Sequence, residues 1–226
     1  MDVLRGMVRP FLRFLVCAAP VSLAGCASVP APPPMPVEQF WNTLQSHCGN
    51  AYSGALVSED ARDADFRGRR MVAHWADCSE DRTAIAFHIE DPDLDGGWDR
   101  SRTWVVTRIS GGLRLKHDHR HADGGEDAIT QYGGNTLAVD PAFASTARAQ
   151  DFPIDAETVA LFLRPENRER LNVSLTNVWR LEADPAGAQG ARFAYQLTRV
   201  NDPTRLFRVE FDASETVLAP PGAWGW

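Results

Sequence analysis

The chain has 226 residues, of which 44% are hydrophobic and 23% charged, the balance of a water-soluble globular protein. Its 17 Gly and 15 Pro are too few for a collagen-like or low-complexity chain. A net charge of −7 argues against a nucleic-acid partner, which calls for a basic patch. The length suits one domain with a core of ordinary size.

Residues 1–25 have the form of an export signal. Arg5, Arg9 and Arg13 make a positive start, and an apolar run follows from Phe14 to Ala24. That run is half as long as the ~20 residues of a membrane-spanning helix, which favours a cleaved leader. It ends in Leu23-Ala24-Gly25-Cys26, which resembles the lipobox of bacterial lipoproteins. The resemblance implies that Cys26 is lipidated and becomes the first mature residue, so that the membrane is a partner through the lipid. Ala27 in place of Asp implies delivery to the outer membrane, facing the periplasm. Residues 26–36 carry Pro30, Pro32, Pro33, Pro34 and Pro36, an extended spacer rising ~3 Å per residue. Loss of the leader removes three Arg and one Asp, so the net charge moves from −7 to −9, unfavourable for adhesion to anionic lipid.

The folded domain is then 37–226. Pro36 can open a helix, and Phe40, Leu44 and Cys48 recur on one face before Gly49, predicting a helix over 37–48. Cys17 leaves with the leader and Cys26 takes lipid, so Cys48 and Cys78 remain as a disulfide pair in an oxidising compartment. Period-2 segments follow, predicting strands at 52–58, 70–77, 83–90, 102–109, 113–121, 128–132, 157–163, 176–183, 192–200 and 205–211. The stretch 135–155 has no clear pattern and has room for one more. Ser110-Gly111-Gly112 and Asp123-Gly124-Gly125 mark hairpins. With no helical segments between strands, a parallel βαβ sheet is ruled out. The expected fold is mainly β: an antiparallel up-and-down barrel of about ten strands with one short N-terminal helix, closure removing exposed edges. A β-sandwich is the alternative. Charged residues such as Arg180, Glu182, Arg208 and Glu210 alternate with apolar ones, which argues against a lipid-facing barrel. The terminal Trp224-Gly225-Trp226 is read as packing on the domain or meeting a partner, with a mobile tail as the alternative.

The segment 113–121, LRLKHDHRH, carries the most chemical information. On a strand, Leu113, Leu115, His117, His119 and His121 share one face. The leucines mark that face as inward, so the histidines point to the interior or its mouth. Three readings stay open. The row is a polar lining hydrogen-bonded to Tyr132, Thr130 or Tyr195; it lines a pocket for a small polar ligand; or His117 and His119 hold zinc or another transition metal with an open position for hydrolysis. A two-residue hairpin places Arg102, Trp104 and Val106 beside the row, and a three-residue loop places Thr103, Val105 and Thr107 there. The first arrangement makes a ligand site of His117, His119, His121, Trp104, Arg102 and Tyr132.

This segment, with Asp123-Gly124, Asp127, Thr130 and Tyr132-Gly133-Gly134, resembles a signature of exported proteobacterial proteins that carry no assigned activity. At the level of fold the pattern resembles calycin barrels, the lipocalin-like and nitrobindin-like proteins, and no site residue transfers from them. Asp91, Asp93, Asp95 and Gly96 mimic half of a calcium loop, but Arg102 stands where a bidentate Glu is needed. His88 alternates against Ile85, Phe87 and Ile89 and is expected to face solvent. His47 and His74 carry no partner pattern. Motifs for serine hydrolases, zinc proteases, phosphate loops and Cys-x-x-Cys redox sites do not occur. The expected function is ligand or partner binding, with metal-dependent hydrolysis and envelope assembly as alternatives.

Overall fold

A computed structural model describes residues 34–136 and 140–226. The leader, Cys26 and most of the spacer lie outside the described residues. Helix α1 (Pro36–Gln45) buries Val37, Phe40, Trp41 and Leu44. It begins at Pro36 and gives way to a turn closed by Gly49 at φ 79°, where a Cβ would be strained. Ten strands follow: β1 (Ala51–Leu56), β2 (Met71–Cys78), β3 (Arg82–Glu90), β4 (Trp98–Ile109), β5 (Gly112–His119), β6 (Tyr132–Asn135), β7 (Ala149–Pro153), β8 (Asn177–Ala183), β9 (Arg192–Arg199) and β10 (Asp202–Asp212).

All neighbours pair antiparallel in the order β6-β5-β4-β3-β2-β1-β10-β9-β8-β7. This is a meander bent round until β6 meets β7, a nearly closed barrel. At the seam Gly134 bridges to Ile154, and a Cβ on Gly134 would stand 2.1 Å from the Pro153 carbonyl. Glycine is therefore what lets the two backbones approach. The architecture agrees with the one that the likeness to calycin barrels implied.

Inward-facing Trp75, Ile85, Phe87, Trp104, Val106, Leu115, Trp179, Phe193 and Phe211 fill most of the barrel. Helix α1 closes one end. There Arg108 pairs with Glu38 at 2.6 Å, and the Cys48–Cys78 disulfide joins the turn after α1 to β2, with Cα atoms 6.2 Å apart. The expected cross-link is present. In the chain-entropy model, closing such a loop restricts the unfolded state by about 3–4 kcal/mol. Outside, Arg180 pairs with Asp151 at 2.6 Å, and Arg208 with Glu182 at 2.9 Å and Glu210 at 2.7 Å. Such a charged face suits water, since each charge facing hydrocarbon at mid-bilayer costs about 2–4 kcal/mol.

Three expectations change. The segment expected as a strand over 157–163 is helix α2 (Ala156–Phe162), because Asp155 caps it by accepting from Thr158 N at 2.8 Å. The alternating Val159, Leu161 and Leu163 hid that cap. Helix α3 (Pro165–Leu171) follows it. The strand expected at 128–132 starts only at Tyr132. Before it, the Asp127 side chain accepts from Ile129 N at 2.7 Å and Gln131 takes a left-handed φ of 56°, so this stretch turns rather than extends. His88, expected in solvent, does point out of the barrel yet is fully buried. The C-terminal segment crosses that outer face. Val217 N donates to Ala51 O, Trp224 N donates to Arg100 O, and Trp226 Nε1 donates to Asp118 at 3.0 Å. The terminal tryptophans thus pack on the domain.

Candidate functional site

The barrel end opposite α1 is open. Strand β4 pairs with β5 so that Arg102 faces His119, Trp104 faces His117 and Val106 faces Leu115. The hairpin parity is the two-residue one, and Arg102 and Trp104 do share the histidine face. The row itself divides. His117 is buried at 2% exposure, His119 is half-buried at the mouth, and the His121 side chain is 62% exposed, 3.9 Å from Asp127. His121 leaves the row because β5 ends at His119. A turn then takes over, with His121 N donating to Gly125 O and Gly124 N donating to His121 O.

His117 sits in a closed set of hydrogen bonds. Its Nδ1 lies 3.0 Å from the Tyr132 carbonyl, and its Nε2 lies 2.8 Å from the Tyr195 hydroxyl. A carbonyl only accepts, so Nδ1 carries the proton, and Nε2 accepts from Tyr195. Burial above all, then the neighbouring His119, holds the His117 pKa down to about 3, and the ring is neutral. His119 is held to about 4 by burial and the Arg102 charge. Its Nε2 shares a 3.2 Å hydrogen bond with the Tyr132 hydroxyl, and its backbone N–H donates to Thr130 Oγ1 at 2.9 Å. Burial pushes the Tyr132 phenol up to about 12 and Tyr195 well above its ordinary value. These are neutral hydrogen-bonding groups at neutral pH. The polar-lining reading of His117 holds, with all three expected partner residues in use around the row.

The aromatic wall is a stack. Trp104 lies between Phe87, at a centroid distance of 4.6 Å, and Tyr195, at 4.4 Å, both nearly parallel to it. Tyr132 stacks on His117 at 4.5 Å. Above them a 3-10 turn, Ala61–Phe66, roofs part of the mouth. It is tied down by Asp63, which accepts from Arg205 Nη2 at 2.9 Å, and by Phe66 edge-on to Phe207 at 5.4 Å. A cavity of about 180 Å³ remains between Phe66, Phe87, Arg102, Trp104, His119 and Tyr195. A second, of about 350 Å³, adjoins it through His119, Tyr132, Tyr195 and Leu197 and extends to Trp179, Arg170 and Arg199. Arg102 is paired with Asp99.

Arg199 and Arg205 were not singled out from the sequence, yet the signal was there. Phe193, Tyr195, Leu197 and Arg199 alternate on β9, as do Arg205, Phe207, Val209 and Phe211 on β10, so each arginine extends an inward row. For zinc, His117 would have to release Tyr195 or the Tyr132 carbonyl. Among the described residues no group of three or more His, Cys, Asp and Glu stands close enough to hold an ion. In the acidic loop, Asp91 is paired with Arg69 at 3.0 Å and accepts from Asp93 N. No protein-family model, curated protein or solved structure matches the chain.

Proposed function

We propose that the protein is an exported lipoprotein, anchored in the outer membrane through Cys26, whose barrel mouth binds a small organic ligand in the periplasm. The observation that carries the binding reading is the paired cavity at the open end. Its walls include stacked aromatic rings, its buried histidines and tyrosines are neutral and hydrogen-bonded, and arginines stand along its lining. Such a combination of apolar walls and few placed polar groups is the usual make-up of a ligand pocket. Both nitrogens of His117 are already engaged, so it serves as a positioning group for Tyr195 rather than as a base. The anchor reading is supported by the lipobox-like Leu23-Ala24-Gly25-Cys26, the proline-rich spacer and the Cys48–Cys78 disulfide, a bond at home in an oxidising compartment.

The test is native mass spectrometry on protein extracted from membranes. A small molecule should co-purify with the wild-type chain and be lost from His119→Ala, and a ligand-free spectrum in both would remove the binding reading. The same preparations decide the anchor: Cys26→Ser should move the protein from the membrane pellet to the soluble fraction, and unchanged sedimentation would contradict it.

A further inference from the structure

We infer that the ligand of the barrel mouth is an organic carboxylate with a flat apolar body, and that Arg199 receives its carboxylate. This rests on the reading of the mouth as a ligand site. Arg199 ends the inward row of β9 and lines the larger cavity. Its Nε donates to Asn177 Oδ1 at 3.0 Å and its Nη2 to Ser174 Oγ at 3.1 Å. Both acceptors are neutral, so they aim the guanidinium without cancelling its charge. The other arginines of the mouth are neutralised: Arg102 by Asp99, Arg205 by Asp60 and Asp63, and Arg62 by Asp60 and Asp202. Among the described residues neither Arg199 nor Arg170, which lines the same cavity, makes an ion pair. Asp127 is the one carboxylate on that cavity's wall, and it is engaged by Ile129 N and adjacent to His121. Burial, with Arg205 and Arg62 nearby, draws the Arg199 pKa down from its usual range, and Asp202 and Asp60 offset this only in part.

A partly buried guanidinium with free donors is matched by a carboxylate, which it can grip through two parallel hydrogen bonds. From Arg199 the larger cavity runs along Trp179, Phe162, Tyr132 and Tyr195, where a flat apolar body finds its wall. His119 and Tyr132, both neutral, do not repel it.

The experiment titrates the purified, detergent-solubilised lipoprotein with 2-naphthoate, 2-naphthamide and 2-naphthyl phosphate by calorimetry. Naphthoate should bind at least about tenfold more tightly than the amide, the size expected for a charge-assisted hydrogen-bonded contact. Arg199→Gln should abolish that preference, bringing naphthoate to within about twofold of the amide. Equal affinities in the wild type, or a preference that survives Arg199→Gln, overturn the inference and leave the binding site standing. Tighter binding of the phosphate ester overturns the carboxylate assignment. No binding of any probe, with nothing co-purified, overturns this inference and the proposed function together. Should Arg199→Gln not fold, the exposed Arg170→Gln carries the same comparison. A severalfold loss for naphthoate alone is expected there, and no loss counts against the inference.

Discussion

The alternate residues of 113–121 divide the work of the segment between two faces. Inward, Leu113 and Leu115 fill the core, and His117 and His119 reach the mouth. Outward, Arg114 bonds Asn135 at 3.1 Å, and Lys116 pairs with Asp155 at 2.7 Å and Glu157 at 3.1 Å. Asp118, itself buried, gathers Arg120, Thr130 and the Trp226 indole. What reads in the sequence as a run of charge is therefore a set of ties from β5 to β6, to α2 and to the C-terminus. The inward half makes the sharper prediction. Tyr195→Phe removes the proton that His117 Nε2 accepts and strands a buried acceptor. Equilibrium unfolding in urea should show a loss of about 1–3 kcal/mol, and an unchanged midpoint would mean that the 2.8 Å contact contributes nothing.

Elements meet where side chains are small or absent. Gly133 and Gly134 follow Tyr132, and both lie against backbone. A Cβ at Gly133 would sit 1.9 Å from the Leu115 carbonyl, and one at Gly134 would meet Pro153. Gly133 N also donates to Thr158 Oγ1 at 2.7 Å, and Asp155 N donates to Gly133 O at 3.1 Å, so the β6–β7 seam and the start of α2 are one joint. Gly134→Val should force that joint apart. The expected result is a lowered Tm together with faster amide exchange in 132–136 and 149–155, while β2–β4 keep their protection. Exchange that stays slow at the seam would show that the barrel closes without it.

Across the whole molecule, five of the six histidines share one property. His47, His74, His88, His117 and His119 all have pKa values held below the usual 6.5, with burial the first cause in each. The folded protein keeps them neutral, while the unfolded chain takes up protons near pH 6.5. Between about pH 6.5 and 4 the unfolded state binds more protons, so stability falls as pH falls; above pH 7 this contribution is flat. Thermal unfolding at pH 8, 7, 6 and 5 should give a Tm level between the first two and falling thereafter. A constant Tm down to pH 5 would contradict the burial of these rings. His88 stands out among them, with neither ring nitrogen hydrogen-bonded. Burial first, then His74 and Arg100, holds its pKa to about 4.

The sequence by itself determined the class of fold, the disulfide and the inward direction of His117 and His119. Each follows from a local rule: alternation along a strand, turn-forming glycines, and two cysteines left to pair. Only the tertiary structure decided three further matters. It decided the hairpin parity that brings Arg102 and Trp104 to the histidines, since one residue more in a loop reverses every side chain on the next strand. It buried His88, whose ring on the outer face packs beside His74 and Trp98 from the neighbouring strands. And it assembled Tyr195, Arg199 and Arg205 with β5, since these lie on strands that reach the histidine row only when the sheet curls and its far edges meet. Periodicity tells which way a side chain points; closure tells what it meets there.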